Sequence, residues 1–435
     1  MANKKISQLA ELAAAAINDI IAIVDDVLGT PVTKYITAQN LLHTAVDYRD
    51  FDEQSSAPDT PASGDLRFYA GDDSTLRTKD DAGNVNIISM GGLAHVVNGR
   101  LTLTTDTPII TSSVTDAESI YFTPYMGNVL RLYSSTESAW NYTTFSELEY
   151  PLTDTQSCTL VNGDATVTVA DSSLFVVGME VTGTGVAGST TIASITDGTT
   201  IEMSANATSD ITTTLTFKVP ADTAFDLFVV NDSGTVKFAR MILWTNTTTR
   251  ATALGTQDGV YVESGTEDNL YVGSGMTDPS TAGVTSTALY SNEWYLWNYY
   301  NQEEFALRVQ DDSATALPVS SSTWEVYNAD ADNSILFFVG VDETFYTAQV
   351  SSISAGWAAA RAKTSISQDD STVAVIASYP IIQTYDVGTS DEQGMSGSSY
   401  RFSDGAGYHR YYIMFWMTSA NSNWEQGTLE IHINA

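Results

Sequence analysis

From Arg100 onward the chain is a succession of short runs rich in Val, Ile, Leu, Thr and aromatic residues, separated by clusters of Gly, Asn, Asp and Ser. The runs at 101–104, 120–122, 129–133 and 140–143 set the rhythm, and those at 324–327, 335–339, 372–376, 411–416 and 428–433 repeat it. Pleated strands suit branched and aromatic side chains, whereas Gly, Asn and Asp tolerate turn dihedrals, so runs of this length and spacing predict strands in a sandwich or jelly-roll. At 225–230 a further run leads through Asn231-Asp232-Ser233-Gly234 into 236–244, which predicts a hairpin.

Texture divides the chain further. Residues 156–217 are nearly free of aromatics and rich in Thr, with alternating segments at 165–169, 179–181, 191–195 and 200–203. That stretch reads as a module inserted into a central β domain of 93–155 plus 218–300, and 301–435 follows either as a separate C-terminal β domain or as the second half of one large sandwich. The first 46 residues differ from all of this. Ile6, Leu9, Ala13 and Ala16 have helical spacing, whereas Ile20, Ile21, Ile23 and Val24 are β-branched and favour a short strand that Asp25 and Asp26 close. Gly29-Thr30-Pro31 supplies a turn, 32–36 a second strand, and Thr37 can cap a short helix carrying Leu41 and Leu42. Pieces so small cannot bury a core alone and need partners. Residues 47–60 read as an extended linker, and 66–70, 76–79 and 85–88 as a small meander within a 47–92 region. The expected fold is therefore mainly β: a short N-terminal α/β anchor, a small hairpin region, and sandwich or jelly-roll-like domains with an inserted sandwich.

Fifty-three acidic against 18 basic residues give a formal charge of −35, which repels phosphate backbones and argues against nucleic-acid binding. Cys158 is the only cysteine, so no intrachain disulfide forms and stability must come from packing and assembly, as suits folding in a reducing cytoplasm. Neither a basic-then-apolar leader nor an apolar run of about 20 residues is present, so membrane insertion is not expected.

Signs of catalysis are weak. His43, His95, His409 and His432 are isolated in sequence, and no Gly-x-Ser-x-Gly elbow or phosphate-cradling loop occurs. Paired carboxylates carry no signal in so acidic a chain, and 328–333 lacks the Gly and Glu of a calcium loop. The expectation is a non-enzyme without cofactor or metal. Two aromatic clusters stand out, Trp294 through Tyr300 and Tyr408 through Tyr412 with Phe415, Trp416 and Trp424. Strand alternation sends about half of each inward, so core or subunit-interface packing is the stronger reading. Surface members are candidate glycan-binding residues: Tyr408, His409, Tyr411 and Trp424.

The order "KISQL-x-EL … DIIAIVDD … TKYITAQNLL" is similar to the N-terminal segment of many tailed-bacteriophage fibre and virion proteins. The phrase "TPASGDLRFYAGDDSTLRTKDDAGNV" resembles a recurrent phage-fibre hairpin, and "VGMEVTGTGVAGSTTIASITDGTTIEMSANAT" resembles immunoglobulin-like modules of phage surfaces. "RLTLTTDTPI", "IYFTPYMGNVLRLY", "TTRATALGTQDGVYV" and "WYLWNYYNQ" look like a class of uncharacterised phage virion proteins. The resemblance implies an intertwined homotrimer, assembled in the bacterial cytoplasm and held in the virion by contacts of Ile6, Leu9, Ile20, Ile23, Val24, Ile36, Leu41 and Leu42 with tail, connector or capsid proteins. It further implies β domains displayed for attachment to a host-surface glycan; the alternative is a head fibre, capsid decoration or connector adaptor that touches no receptor.

Overall fold

The computed structural model describes residues 96–289 and 291–311 without interruption. Elsewhere it describes 20–25, 32–37, 53–54, 59–60, 62–63, 67–71, 76–79, 82–83, 85–87, 324–326, 332–356, 361–369, 381–384, 392–417 and 422–435. Every regular element among the described residues is a strand, so the chain is mainly β. It divides into two compact units, Met1–Ala94 and His95–Ala435.

In the first unit, Ile20–Asp25 and Val32–Thr37 pair antiparallel from Ile20↔Thr37 to Asp25↔Val32, as the β-branched runs predict. Both helices expected around this hairpin, with Ile6, Leu9, Leu41 and Leu42, lie outside the described residues. The predicted meander is Arg67–Gly71, Leu76–Lys79 and Val85–Ile87, joined antiparallel. Part of the expected linker belongs to the same sheet, because Glu53–Gln54 runs parallel to Arg67–Gly71.

The second unit begins with Gly99–Thr102 and Leu148–Pro151 flanking Ser119–Pro124. Beside this sheet lies the hairpin of Val129–Ser134 and Ala139–Thr144. The Thr-rich stretch folds as six strands of one sheet, and its outermost strands in sequence, Thr153–Leu160 and Ile211–Lys218, pair along their whole length from Thr153↔Lys218 to Leu160↔Ile211. The sheet also meets itself: a bridge joins Glu180 to Thr191, and the Val181 amide donates to the Thr190 carbonyl at 2.8 Å. Wrapping leaves one enclosed interior, filled by Val167, Val181, Ile201, Leu215 and Phe217, with Phe175 against Phe217 at 4.4 Å between ring centres. Cys158 is buried there, and desolvation pushes its thiol up to about 11.

After the module, the Asn231–Gly234 hairpin forms as predicted, with Ser233 and Gly234 both at positive φ between Ala224–Asp232 and Thr235–Phe238. The run at 236–244 does not continue as one strand. It is interrupted after Phe238 and resumes as Ile242–Leu243, pairing farther back along the same partner at Phe225 and Asp226.

One sheet crosses the candidate boundary at residue 300. Glu293–Trp294 pairs parallel with Ser334–Val339, and the sheet extends from Val114–Ala117 at one end to Arg361–Gln368 and Ile381–Thr384 at the other. Behind it Glu304–Asp311, Ser422–Asn434, Glu343–Gly356 and Glu392–Asp404 form a second, four-stranded sheet. The two share a core that includes Leu307, Ile335, Phe337, Val350, Ile413 and Ile431. The run expected at 372–376 lies outside the described residues.

A buried polar chain ties this sandwich to the seven-stranded sheet. Asp226 is 1% exposed, and Arg250 grips its two oxygens at 2.8 and 2.9 Å. Tyr271 donates to Ser274 Oγ at 2.5 Å, and Ser274 donates to Asp226 at 2.6 Å. Arg250 then donates to the Gly340 carbonyl just past Ser334–Val339, while its guanidinium lies 4.3 Å from the Trp244 ring centre. No side chain fits at Gly340, where a Cβ would come 2.2 Å from the Trp297 ring and 2.6 Å from the Tyr271 hydroxyl. Replacing Asp226 with Ala strands a largely buried guanidinium, and a loss of about 3–5 kcal/mol in urea unfolding is expected. Within the four-stranded sheet, His432 makes a pH-dependent contact across two paired strands, with Nδ1 at 2.8 Å from Glu304 and Nε2 at 2.9 Å from Glu430, the Glu304 bond being the main cause that raises its pKa. Because the folded value is the higher one, this stabilisation is complete below the unfolded value of about 6.5 and disappears as pH rises through the folded value. The melting-temperature advantage of the native chain over His432→Gln should therefore be largest near pH 5.5 and shrink above the folded pKa.

Candidate functional site

The first aromatic cluster, for which core or subunit-interface packing is the stronger sequence reading, packs largely inside. Trp294, Tyr295, Leu296 and Trp297 are each 1–2% exposed. Alternation fails to bring half of them to the surface because the chain changes sheets here: Glu293–Trp294 belongs to the eight-stranded sheet and Leu296–Asn298 to the seven-stranded one. A segment passing between two sheets is covered on both faces.

Tyr411 is 3% exposed and stacks on Phe337 at 5.5 Å with 7° between ring planes. His409 is also buried, its Nδ1 at 3.1 Å from Asp369 and its Nε2 at 2.8 Å from the Gly405 carbonyl. Neither can offer a ring face to a sugar, which corrects their assignment as glycan-binding residues. Tyr408 is half-buried, 6.3 Å from the Tyr295 ring centre, and burial raises its phenol pKa. Trp424 lies within Ser422–Asn434, opposite Ser354. Of the anchor residues, Ile20, Ile23, Val24 and Ile36 fall on the paired strands of the first unit.

Aromatic residues do reach solvent on the Val129–Ser134/Ala139–Thr144 hairpin. Leu130 and Leu132 point inward and are buried, so the alternate positions, Arg131 and Tyr133, point outward. Their cross-strand partners are Tyr142 and Trp140 respectively. The four side chains form a ladder: Tyr133 packs edge-on to Trp140 at 5.4 Å, and the Arg131 guanidinium lies 5.8 Å from the Trp140 ring centre and 5.9 Å from that of Tyr142. Tyr142 is 54% exposed.

A neighbouring turn supplies the polar rim. Asp258 and Gly259 both have positive φ and join Gly255–Gln257 to Val260–Glu263, the geometry that Asp-Gly hairpins favour. This places the Asp258 carboxylate where it accepts from Trp140 Nε1 at 2.9 Å and from Gln257 Nε2 at 3.2 Å. Those two bonds, with the charge of Arg131, hold Asp258 below the usual carboxylate range. Arg131 Nε is buried with no hydrogen-bond partner among the described residues. The sequence carried a signal for this face, since 131 and 133 share one parity and 140 and 142 share another across one turn.

Elsewhere, a cavity of about 180 Å³ opens on the inserted module, lined by Pro151, Asp154, Gln156, Asp171, Leu174 and Phe175 among others. Gln156 spans it, donating to Asp154 and to the Asp171 carbonyl at 2.7 and 2.6 Å. Among the described residues no group of His, Cys, Asp and Glu is arranged to hold a metal ion.

No protein-family model matches the chain, and no curated protein matches it. Among solved structures, the insecticidal delta-endotoxin Cry8Ea1 of Bacillus thuringiensis aligns at 8% identity and a TM-score of 0.21, over 78% of this chain and 54% of the toxin. This chain thus spans about half the toxin's length. An infectious bursal disease virus structure, Gt strain, aligns at 11% and 0.18 over 65% and 72%. A family 43 arabinoxylan arabinofuranohydrolase of Bacillus subtilis aligns at 10% and 0.16 over 83% and 75%. Likenesses this slight carry no argument about fold or role.

If Tyr411 is a core residue, Tyr411→Ala should cost about 3–5 kcal/mol, as large-to-small core changes do. Chemical denaturation checks this, and an unchanged midpoint would return Tyr411 to the surface.

Proposed function

We propose that the chain is a structural component of a tailed-phage virion, a fibre or spike that is held by its N-terminal segment and displays β domains for host attachment. The observation that carries this reading is the division of the chain into a small unit, Met1–Ala94, and a large unit, His95–Ala435, both built of strands among the described residues. The small unit contains the segment whose order of parts is similar to phage fibre anchors. Strands as short as Ile20–Asp25 and Val32–Thr37 gain their stability from what they pack against, which suits a plug seated in a larger assembly. The large unit is built for rigidity, with sheets that share cores and polar groups joined in buried chains.

On this reading the mechanism is display, and copies on one particle multiply weak contacts through effective concentration. A homotrimer is the assembly that the anchor resemblance implies. The partners are other copies of the chain, the tail, connector or capsid proteins that seat the anchor, and a host-surface glycan. The second reading, a head fibre, capsid decoration or connector adaptor without receptor binding, predicts normal adsorption by particles that lack the outer β domains.

Deleting residues 1–46 should abolish incorporation while the remainder folds. Immunoblots of purified particles test this directly: virions that retain the truncated chain would remove the anchor from the proposal.

A further inference from the structure

We infer that the outer face of the Val129–Ser134/Ala139–Thr144 hairpin, formed by Tyr133, Trp140, Arg131 and Tyr142 with Asp258 at its rim, is a binding site for a neutral saccharide. It rests on the display reading in one respect, that such binding serves attachment. The chemistry stands on the face itself. A pyranose has an apolar C–H face that packs on an aromatic ring and equatorial hydroxyls that need donors and acceptors beside it. Tyr142 supplies a ring that is 54% exposed, with Trp140 next along the ladder. Asp258 supplies a carboxylate acceptor, held in place by Trp140 and Gln257, and Arg131 supplies a guanidinium between the two rings.

Charge selects the class of sugar. Asp258 offsets the one cation of the ladder, and the chain as a whole carries −35, so a polyanionic glycan or nucleic acid is repelled on approach. The surroundings argue against a protein partner, because Thr144, Ser135, Ser138 and Glu137 around the rings are exposed and polar and leave no continuous apolar patch. Preorganisation favours binding. The rings are fixed by strand register, and the carboxylate by a two-residue turn, so little conformational freedom is lost when a ligand arrives.

Saturation-transfer NMR on the full chain, with tetrasaccharides of glucose, galactose and mannose as probes and tetragalacturonate as the acidic control, tests the inference. At least one neutral probe should bind. Tyr142→Ala should weaken that binding about tenfold with an unchanged melting temperature, and Tyr142→Phe should preserve it. The inference is overturned if no neutral probe binds, if tetragalacturonate binds preferentially, or if Tyr142→Ala binds as the native chain does. Immunoblots of particles from the source lysate separate this from the display reading. A chain present in particles that binds no sugar sinks the saccharide site alone, whereas a chain that binds sugar and is absent from particles sinks the virion assignment alone.

Discussion

The bidentate pair between Arg250 and Asp226 is the centre of the polar link between the seven-stranded and eight-stranded sheets, which also share a hydrophobic core. Asp226 sits deep in the strand Ala224–Asp232, where an uncompensated carboxylate would be prohibitive. Arg250 neutralises it, and the Nη2 that bonds Asp226 also donates to the Gly340 carbonyl, so one ion pair satisfies a buried charge and links to the end of a strand from another sheet. The close approach depends on glycine at 340, and the Trp244 ring closes over the guanidinium. A second buried cation repeats the device: Arg100 donates to the carbonyls of Asn301 and Ala435 at 2.7 Å each. Burial lowers its pKa to about 10, against the pull of Glu303 and the Tyr125 phenol. In so acidic a chain, these two arginines are spent holding distant segments together.

Local chemistry was legible in the sequence, and long-range pairing was not. Ser233-Gly234 and Asp258-Gly259 declare two-residue turns through the residues that tolerate positive φ, and the branched runs beside them become strands. Whether the sheet breaks at residue 300 was left open by the sequence because nothing in a strand's own residues says which neighbour it will pair with. Glu293–Trp294 looks the same whether it ends a domain or, as here, lies parallel to Ser334–Val339. For the same reason the burial of Trp294 through Trp297 was only half predicted: alternation assumes one sheet with one wet face, and this segment passes between two. Tyr411 and His409 were misread as surface candidates because aromatic and polar character does not distinguish a ring stacked on Phe337, or an imidazole held by Asp369, from one presented to solvent.

The outer hairpin face follows from the same limits read in the opposite direction. It lies on a two-stranded sheet whose inner face, Leu130 and Leu132, is buried in the core, so stability and display fall on opposite parities of the same strands. A change at Tyr142 leaves the buried leucines untouched, which lets such a surface vary while the scaffold persists. The 294–300 cluster has no such freedom, since Trp294 stacks on Phe305 of the four-stranded sheet and the Trp297 ring closes over Gly340.

The Thr-rich module shows how a large insertion is accommodated without disturbing that scaffold. Its first and last strands pair with each other along eight residues, so the chain leaves and re-enters the central region side by side. At the base, the Val219 amide donates to Leu152, the Leu152 amide to Glu118, and the Gly283 amide to Val219, which sews the junction into the surrounding sheets. Loop-closure entropy grows only with the logarithm of length, and here the module's own strand pairing offsets it, so the host sheets see little more than a short connection. The alternation of Thr with Val and Ile in this stretch has the same origin. A sheet that wraps on itself needs one apolar and one polar face and no aromatic bulk inside beyond Phe175 and Phe217, which is why its composition departs so abruptly from the aromatic-rich strands on either side.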